Sequence, residues 1–233
     1  MNGMVYGVGL GPGDPELMTL KAARLIGGAD VIAYPSLEGG DSFARAIAAD
    51  LIEDGTEEIV ISIPMSVERA PAQAAYDAGA AAIAVQLEAG KDVVVLCEGD
   101  PFFYGSFMYL FSRLSDRFEC EVVPGVTSVT ACAAALQSPL TARNEVLTII
   151  PGPMDEDAME ARIAAAEAVA VMKVGRHLPK IKRVLERLGL MDHAGYVERA
   201  SLPQEVVLPL SEAPEKAPYF SMILVTKGDD PWL

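Results

Sequence analysis

The chain has 233 residues, half of them hydrophobic, and 18 Lys and Arg stand against 33 Asp and Glu for a net charge of −15. Such acidity disfavours nucleic acid as a partner, because phosphates are met by a basic face, while the length suffices for one large or two small hydrophobic cores. No apolar run reaches the roughly 18 residues that a membrane span needs, and the start lacks the basic region, short apolar segment and cleavage site of a secretory leader, so a cytoplasmic protein without membrane contact is expected. Three cysteines, Cys97, Cys120 and Cys132, lie in apolar surroundings without C-x-x-C spacing. They read as small buried hydrophobes rather than disulfide partners or metal ligands.

An apolar run reaching Val8 carries Gly7 and Gly9 into a loop with Gly11 and Gly13, and Pro15 then opens a helix expected over 16–27, with Leu17, Leu20, Ala23 and Leu25 at helical spacing. Asp14 stands at the N-cap and Glu16 in the first turn. The spacing departs from a dinucleotide fingerprint, which needs glycines at i, i+2 and i+5. From Gly7 the third position is Pro12 and from Gly9 it is Asp14, whose charge would occupy the helix end that receives a pyrophosphate.

Further along, strands are expected over 31–34, 58–63, 92–97 and 121–123, with helices near 42–53, 71–89, 104–114 and 126–136. Short β-rich runs separated by helices imply parallel strands covered on both faces. After residue 140 the pattern changes to strands over 146–150, 168–173, 195–200, 205–208 and 219–226 and helices over 156–166 and 179–188. The last three strands have only short connections, which forbids a helical crossover and favours antiparallel pairing. The fold class is therefore two α/β domains, 1–139 with a mainly parallel sheet and 140–233 with a mixed one, joined by the linker 138–144.

Ligands gather beyond the carboxyl ends of parallel strands, and three segments end strands with Gly, Pro and a polar residue together: 7–14, 97–105 and 124–128. They bring Asp14, Asp100, Thr127 and Ser128 to one edge. Pro101 biases Asp100 towards an extended conformation, where its carboxylate forms a turn or orients a ligand. The usual catalytic parts are missing: His177 and His193 are the only histidines, and neither a G-x-S-x-G nor an H-E-x-x-H motif occurs. A site rich in main-chain polar groups and poor in bases suits chemistry driven by the positioning of two reactants. A basic stretch, Lys173, Arg176, Lys180, Lys182, Arg183 and Arg187, is opposed within itself only by Glu186. It is either a solvated helix face or a patch for an acidic ligand.

Together, G-V-G-L-G-P-G-D-P-E-L-M-T-L-K-A, E-G-D-P-F-F-Y-G and V-P-G-V-T-S resemble the S-adenosylmethionine-dependent tetrapyrrole methyltransferases over nearly the whole chain. Within that family D-V-I-A-Y-P-S-L, F-F-Y-G-S-F-M-Y-L-F and L-Q-S-P-L-T-A-R-N-E-V-L-T-I-I-P-G resemble the branch that methylates C20 of precorrin-2 or cobalt-factor II. The resemblance implies a homodimer of two-domain chains with S-adenosylmethionine in a cleft between the domains. It implies cofactor positions at Pro12, Gly99, Asp100, Phe103, Thr127, Ser128, Met172, Ala200, Ser221 and Met222. The remainder of the glycine loop, Gly11 and Asp14 included, would line a trough for the tetrapyrrole, whose carboxylates would meet Arg143, Lys173, Arg176 or His177. Other branches of the family, acting on another ring position, on diphthamide or on ribosomal RNA, and a non-catalytic nucleotide-binding module remain alternatives.

Overall fold

The computed structural model describes residues 2–64, 66 and 68–228. They fall into two compact units, one up to Thr127 and one from Ser128 onward. In the first, five strands form an all-parallel sheet in the order β3-β2-β4-β1-β5: β1 Val5–Gly9, β2 Val31–Leu37, β3 Glu57–Ile63, β4 Val93–Cys97 and β5 Cys120–Val123. Helices α1 (Leu20–Gly27) and α2 (Phe43–Ile47) cover one face, and α3 (Arg69–Glu88) and α4 (Phe107–Leu114) the other.

Strand alternation explains both cores. In β4, Val93, Val95 and Cys97 face α3 and α4, while Val94 and Leu96 face α1 and α2. All five β4 residues are buried, as expected of a central parallel strand. From β1 the chain crosses on the α1 side towards β2 and β3; from β4 it crosses on the α4 side to β5, beyond β1. The neighbours β1 and β4 thus send their chains to opposite faces, which opens a crevice at their carboxyl ends.

Local geometry trims several expected elements. The helix expected from residue 16 begins as a 3-10 turn, Pro15–Leu17, and α1 starts only at Leu20, with Thr19 as its N-cap. Asp14 caps the turn, accepting from the Glu16 amide at 2.8 Å. Likewise α4 starts at Phe107 rather than Tyr104, because Tyr104 takes a left-handed φ of 56°. The helix expected over 42–53 is the short α2 followed by a 3-10 turn, Ala49–Leu51.

The second unit orders its strands β6-β7-β10-β8-β9: β6 Leu147–Pro151, β7 Ala168–Met172, β8 Ala194–Glu198, β9 Val206–Pro209 and β10 Ser221–Thr226. β6 and β7 are parallel and the remaining pairs antiparallel. Instead of extending a three-strand meander, β10 inserts between β7 and β8. One face is covered by α6 (Glu156–Ala165) and α7 (Leu178–Arg187), whose Leu178, Ile181, Val184 and Leu185 recur at helical spacing in the core. α5 (Ser128–Leu136) packs on β8 and β10. That packing places the division between compact units at 127/128, earlier than the linker 138–144 expected as the boundary.

In the first unit Arg45 on α2 donates to Glu58 at the start of β3 through Nε (3.1 Å) and Nη2 (3.0 Å), and the Tyr34 hydroxyl donates at 2.7 Å. The hydrogen bonds from Arg45 hold the Glu58 carboxyl below its ordinary 4.5, against the opposing effect of burial. A depressed carboxylate stabilises the fold above its unfolded pKa, and that contribution is lost as pH falls through the folded value. Glu58→Gln should therefore be less stable than the parent at pH 7 by about 0.5–1 kcal/mol, as suits a pair partly open to solvent. Denaturant titrations should show the gap closing below pH 4.5; a gap constant from neutral to acid would refute this.

Candidate active site

Three loops of the first unit meet at the carboxyl ends of β1, β4 and β5. Gly11 and Gly99 form an isolated bridge, the Gly99 amide donating to the Gly11 carbonyl at 2.7 Å and the reverse bond measuring 3.2 Å. A Cβ on Gly125 would stand 2.0 Å from the Gly99 carbonyl oxygen and 2.9 Å from Cα of Gly9. No side chain fits there, so the loops pack backbone on backbone. Gly99 itself has a φ of 63°, and nothing lies within 4 Å of where its Cβ would be. Its outer side faces open space, so a ligand entering the crevice meets main chain.

Asp100 locks this arrangement. Its Oδ1 accepts from the amides of Phe102 (2.9 Å) and Phe103 (3.0 Å), and its Oδ2 accepts from the Gly125 amide at 3.0 Å. The carboxylate thus turns its own loop and ties it to the loop after β5. Beyond it Phe102 rests on α4, 5.1 Å from the Phe111 ring and 6.2 Å from Phe107, while Phe103 and Tyr104 meet edge to face at 5.3 Å. Phe102 and Tyr104 remain 47% and 45% exposed, so the three rings divide between the α4 core and the outside rather than filling one interior.

Glu98 received no role from the sequence, although it stands inside the E-G-D-P motif. Solvent reaches it, yet protein crowds it. That desolvation raises its carboxyl above the ordinary range, while a hydrogen bond from the Ala44 amide of α2 pulls it back. Only its place at the end of an otherwise apolar central strand could have singled it out.

In the second unit, Pro151, Met172, Glu198 and Ser221 end or begin adjacent strands at one edge of the sheet. Met172, Ala200, Ser221 and Met222 therefore share that edge. Ala200, Ser221 and Met222 are buried, and Met172 is partly so. The Ser221 hydroxyl donates to the Pro218 carbonyl at 2.7 Å. Beside Ser221, in register, lies the buried Glu198, which accepts from the Tyr196 hydroxyl at 2.6 Å and from Arg199 at 3.4 Å. Burial and the adjacent carboxylate push the Tyr196 phenol up. Arg199 and Ser201 flank Ala200 with φ of 47° and 69°, so the chain turns sharply there.

Of the expected cations, Lys173 follows Met172 at this edge with a φ of 56°, and Arg176 lines a groove of about 690 Å³ with Leu178, Lys182 and residues 213–217. Arg143 precedes β6 and so lies at the other end of the sheet, away from Lys173 and Arg176. The rest of the basic stretch holds helices together. Arg183 and Arg187 bridge to Glu156 and Glu160 of α6, Lys182 donates to the Ala213 carbonyl at 2.8 Å, and Lys180 donates to the Met154 carbonyl. The acidic partners come from another helix, which is why the stretch looked unopposed in sequence. Burial, then Lys180 and Arg176, hold the His177 pKa below its ordinary 6.5. Cys97 and Cys132 are buried and Cys120 half-buried, all three as free thiols. Among the described residues no three His, Cys, Asp or Glu could hold a metal, and no helix is long and apolar enough to cross a membrane.

The family model for tetrapyrrole (corrin/porphyrin) methylases matches residues 4–214. The chain belongs to this family. It is 43% identical to a precorrin-2 C(20)-methyltransferase from Sinorhizobium sp., covering 98% of this chain and 97% of that protein. It is 34% identical to a cobalt-precorrin-2 C(20)-methyltransferase from Salmonella typhimurium, over 97% of this chain and 98% of the other. Among solved structures, the uroporphyrin-III C-methyltransferase of Thermus thermophilus complexed with S-adenosylhomocysteine is similar at a TM-score of 0.68 and 30% identity, covering 96% of this chain and 97% of that one. That similarity spans both α/β sheets of this chain, the parallel and the mixed.

Asp100→Asn should test the lock directly. An amide nitrogen in place of one carboxylate oxygen turns a donor towards a main-chain donor, leaving an amide unsatisfied at a cost of about 1–3 kcal/mol. A folded variant with a clearly lowered melting temperature is expected. Unchanged stability in chemical and thermal unfolding would show that the three amide bonds carry no weight.

Proposed function

We propose that this chain transfers a methyl group from S-adenosylmethionine to C20 of precorrin-2, or of its cobalt-containing counterpart, in cobalamin biosynthesis. The observation that carries this reading is the main-chain-lined crevice at Gly9, Gly11, Gly99 and Gly125, on a chain similar along its whole length to a precorrin-2 C(20)-methyltransferase. The open side of Gly99 suits a bulky cofactor, since a Cβ would project into that space. When bound, the cofactor supplies an electrophilic methyl on a cationic sulfur.

The protein's part is alignment. Pro12, Gly99, Phe103, Thr127 and Ser128 hold the cofactor in this reading, with Asp100 fixing the amides around it; Met172, Ala200, Ser221 and Met222 do the same from the second sheet's edge. Gly11 and Asp14 line the floor of the macrocycle site. Lys173, which follows β7, and Arg176, which lines the groove beside it, meet the carboxylates of the macrocycle in this reading through charge-assisted hydrogen bonds. An electron-rich meso carbon needs no base to attack a sulfonium methyl, so alignment in a water-poor site supplies most of the acceleration. The enzyme works in this reading as a cytoplasmic homodimer, as the family resemblance implies.

Calorimetry should register S-adenosylhomocysteine binding, and the ligand should stabilise the fold by about 2.7 kcal/mol at a hundredfold excess over Kd. Incubating the protein with methyl-labelled cofactor and either macrocycle should place the label on C20 by NMR. Label on another ring carbon would move the chain to a different branch of the family, and absence of cofactor binding would remove the proposal.

Arg176→Ala and Lys173→Ala should each weaken macrocycle binding roughly tenfold, the value of one charge-assisted hydrogen bond, with S-adenosylhomocysteine affinity unchanged. Equal losses for both ligands would refute a substrate-specific role.

A further inference from the structure

We propose that Glu98 is the catalytic base that takes the proton released when the meso carbon is methylated. This rests on the methyl-transfer reading above. As the carbon–methyl bond forms, the sulfur–methyl bond breaks and its electron pair stays on sulfur. The carbon–hydrogen bond of the same meso carbon then breaks, its electron pair returns to the macrocycle, and the proton passes to a base. Within the segments 7–14, 97–105 and 124–128 the carboxylates are Asp14, Glu98 and Asp100. Asp14 accepts from the Glu16 amide to hold the turn after β1, and Asp100 uses both oxygens on three main-chain amides. Glu98 accepts from one amide, that of Ala44, and is open to solvent.

Its placement follows from the strand. Continuing the alternation of Val94 and Leu96, the Glu98 side chain lies on the α1/α2 side at the end of β4, where β1 and β4 part to opposite faces. The charged groups on the elements around it are Glu38 and Asp41 before α2, Arg45 on α2, Lys21 and Arg24 on α1, and Asp14 and Glu16 on the connection after β1. Arg45 is held by Glu58, and from the opposite face the Cys97 thiol and the Tyr76 phenol both feel the charge of Glu98. Crowding by protein raises the affinity of the carboxylate for a proton, and contact with water lets the proton leave, as a turnover base requires.

The test compares the parent with Glu98→Gln, which keeps the size and the acceptor for Ala44. Expected are an unchanged melting temperature, S-adenosylhomocysteine affinity within about twofold, and kcat lowered about a hundredfold, as for loss of a general base. The acid limb of the parent's kcat–pH profile should vanish in the variant, and a C20-deuterated macrocycle should turn over more slowly than the protonated one. Glu98→Ala should recover rate with added formate. Full activity in Glu98→Gln, an acid limb that persists, or a parallel loss of cofactor binding would each overturn the assignment. The parent arm separates the two claims: a parent that methylates C20 while Glu98→Gln does so equally well refutes only the base, whereas a parent that methylates nothing refutes the underlying reading.

Discussion

The structure of the first unit hinges on the backbone contact among Gly9, Gly99 and Gly125, held by one carboxylate. Three loops leaving β1, β4 and β5 converge so closely that a single methyl group would collide with a carbonyl oxygen. Close approach satisfies polar main-chain groups across loops, through the Gly11–Gly99 bridge and the three amides on Asp100. It also leaves those loops with little freedom to lose on binding. Preorganisation of this kind lowers the entropic cost of holding a ligand, and it arises where the sheet topology already opens a crevice.

Electrostatics then reconciles an acidic chain with the acidic macrocycle proposed as its substrate. Net charge acts at long range and is screened by salt over about 8–10 Å, whereas recognition of a carboxylate is local. Most cations of the basic stretch are bound to α6 or to carbonyl oxygens. What distinguishes Lys173 and Arg176 is their position at the edge of the second sheet, beyond the helix pair that uses the other cations. Burial and the neighbouring Lys180 and Arg176 disfavour a further positive charge on His177.

Shared fold alone says little about which position of a macrocycle is modified, since one scaffold hosts many chemistries. The likeness to the uroporphyrin-III C-methyltransferase structure supports the two-sheet architecture. Similarity over the full length to C20-specific proteins is what narrows the substrate. Glu98 and the Glu198–Tyr196 pair add polar groups to edges otherwise built from main chain and apolar side chains.

The sequence by itself determined the alternation of strands and helices, the parallel first sheet and the convergence of three loops, because periodicity, Gly–Pro punctuation and strand ends are local signals. It also singled out Asp14 and Asp100. Their work as a turn cap and a three-amide lock became legible only in three dimensions, since the partners of Asp100 include Gly125, far along the chain. Tertiary structure alone decided that α5 packs with the second sheet, that β10 inserts between β7 and β8, and that Arg143 lies at the opposite end of that sheet from Lys173. It alone decided that α6 neutralises the basic stretch and that Glu98 stands crowded beside Ala44. Strand order, long-range ion pairs and desolvation depend on which segments come together in space, and no local pattern in the sequence encodes them.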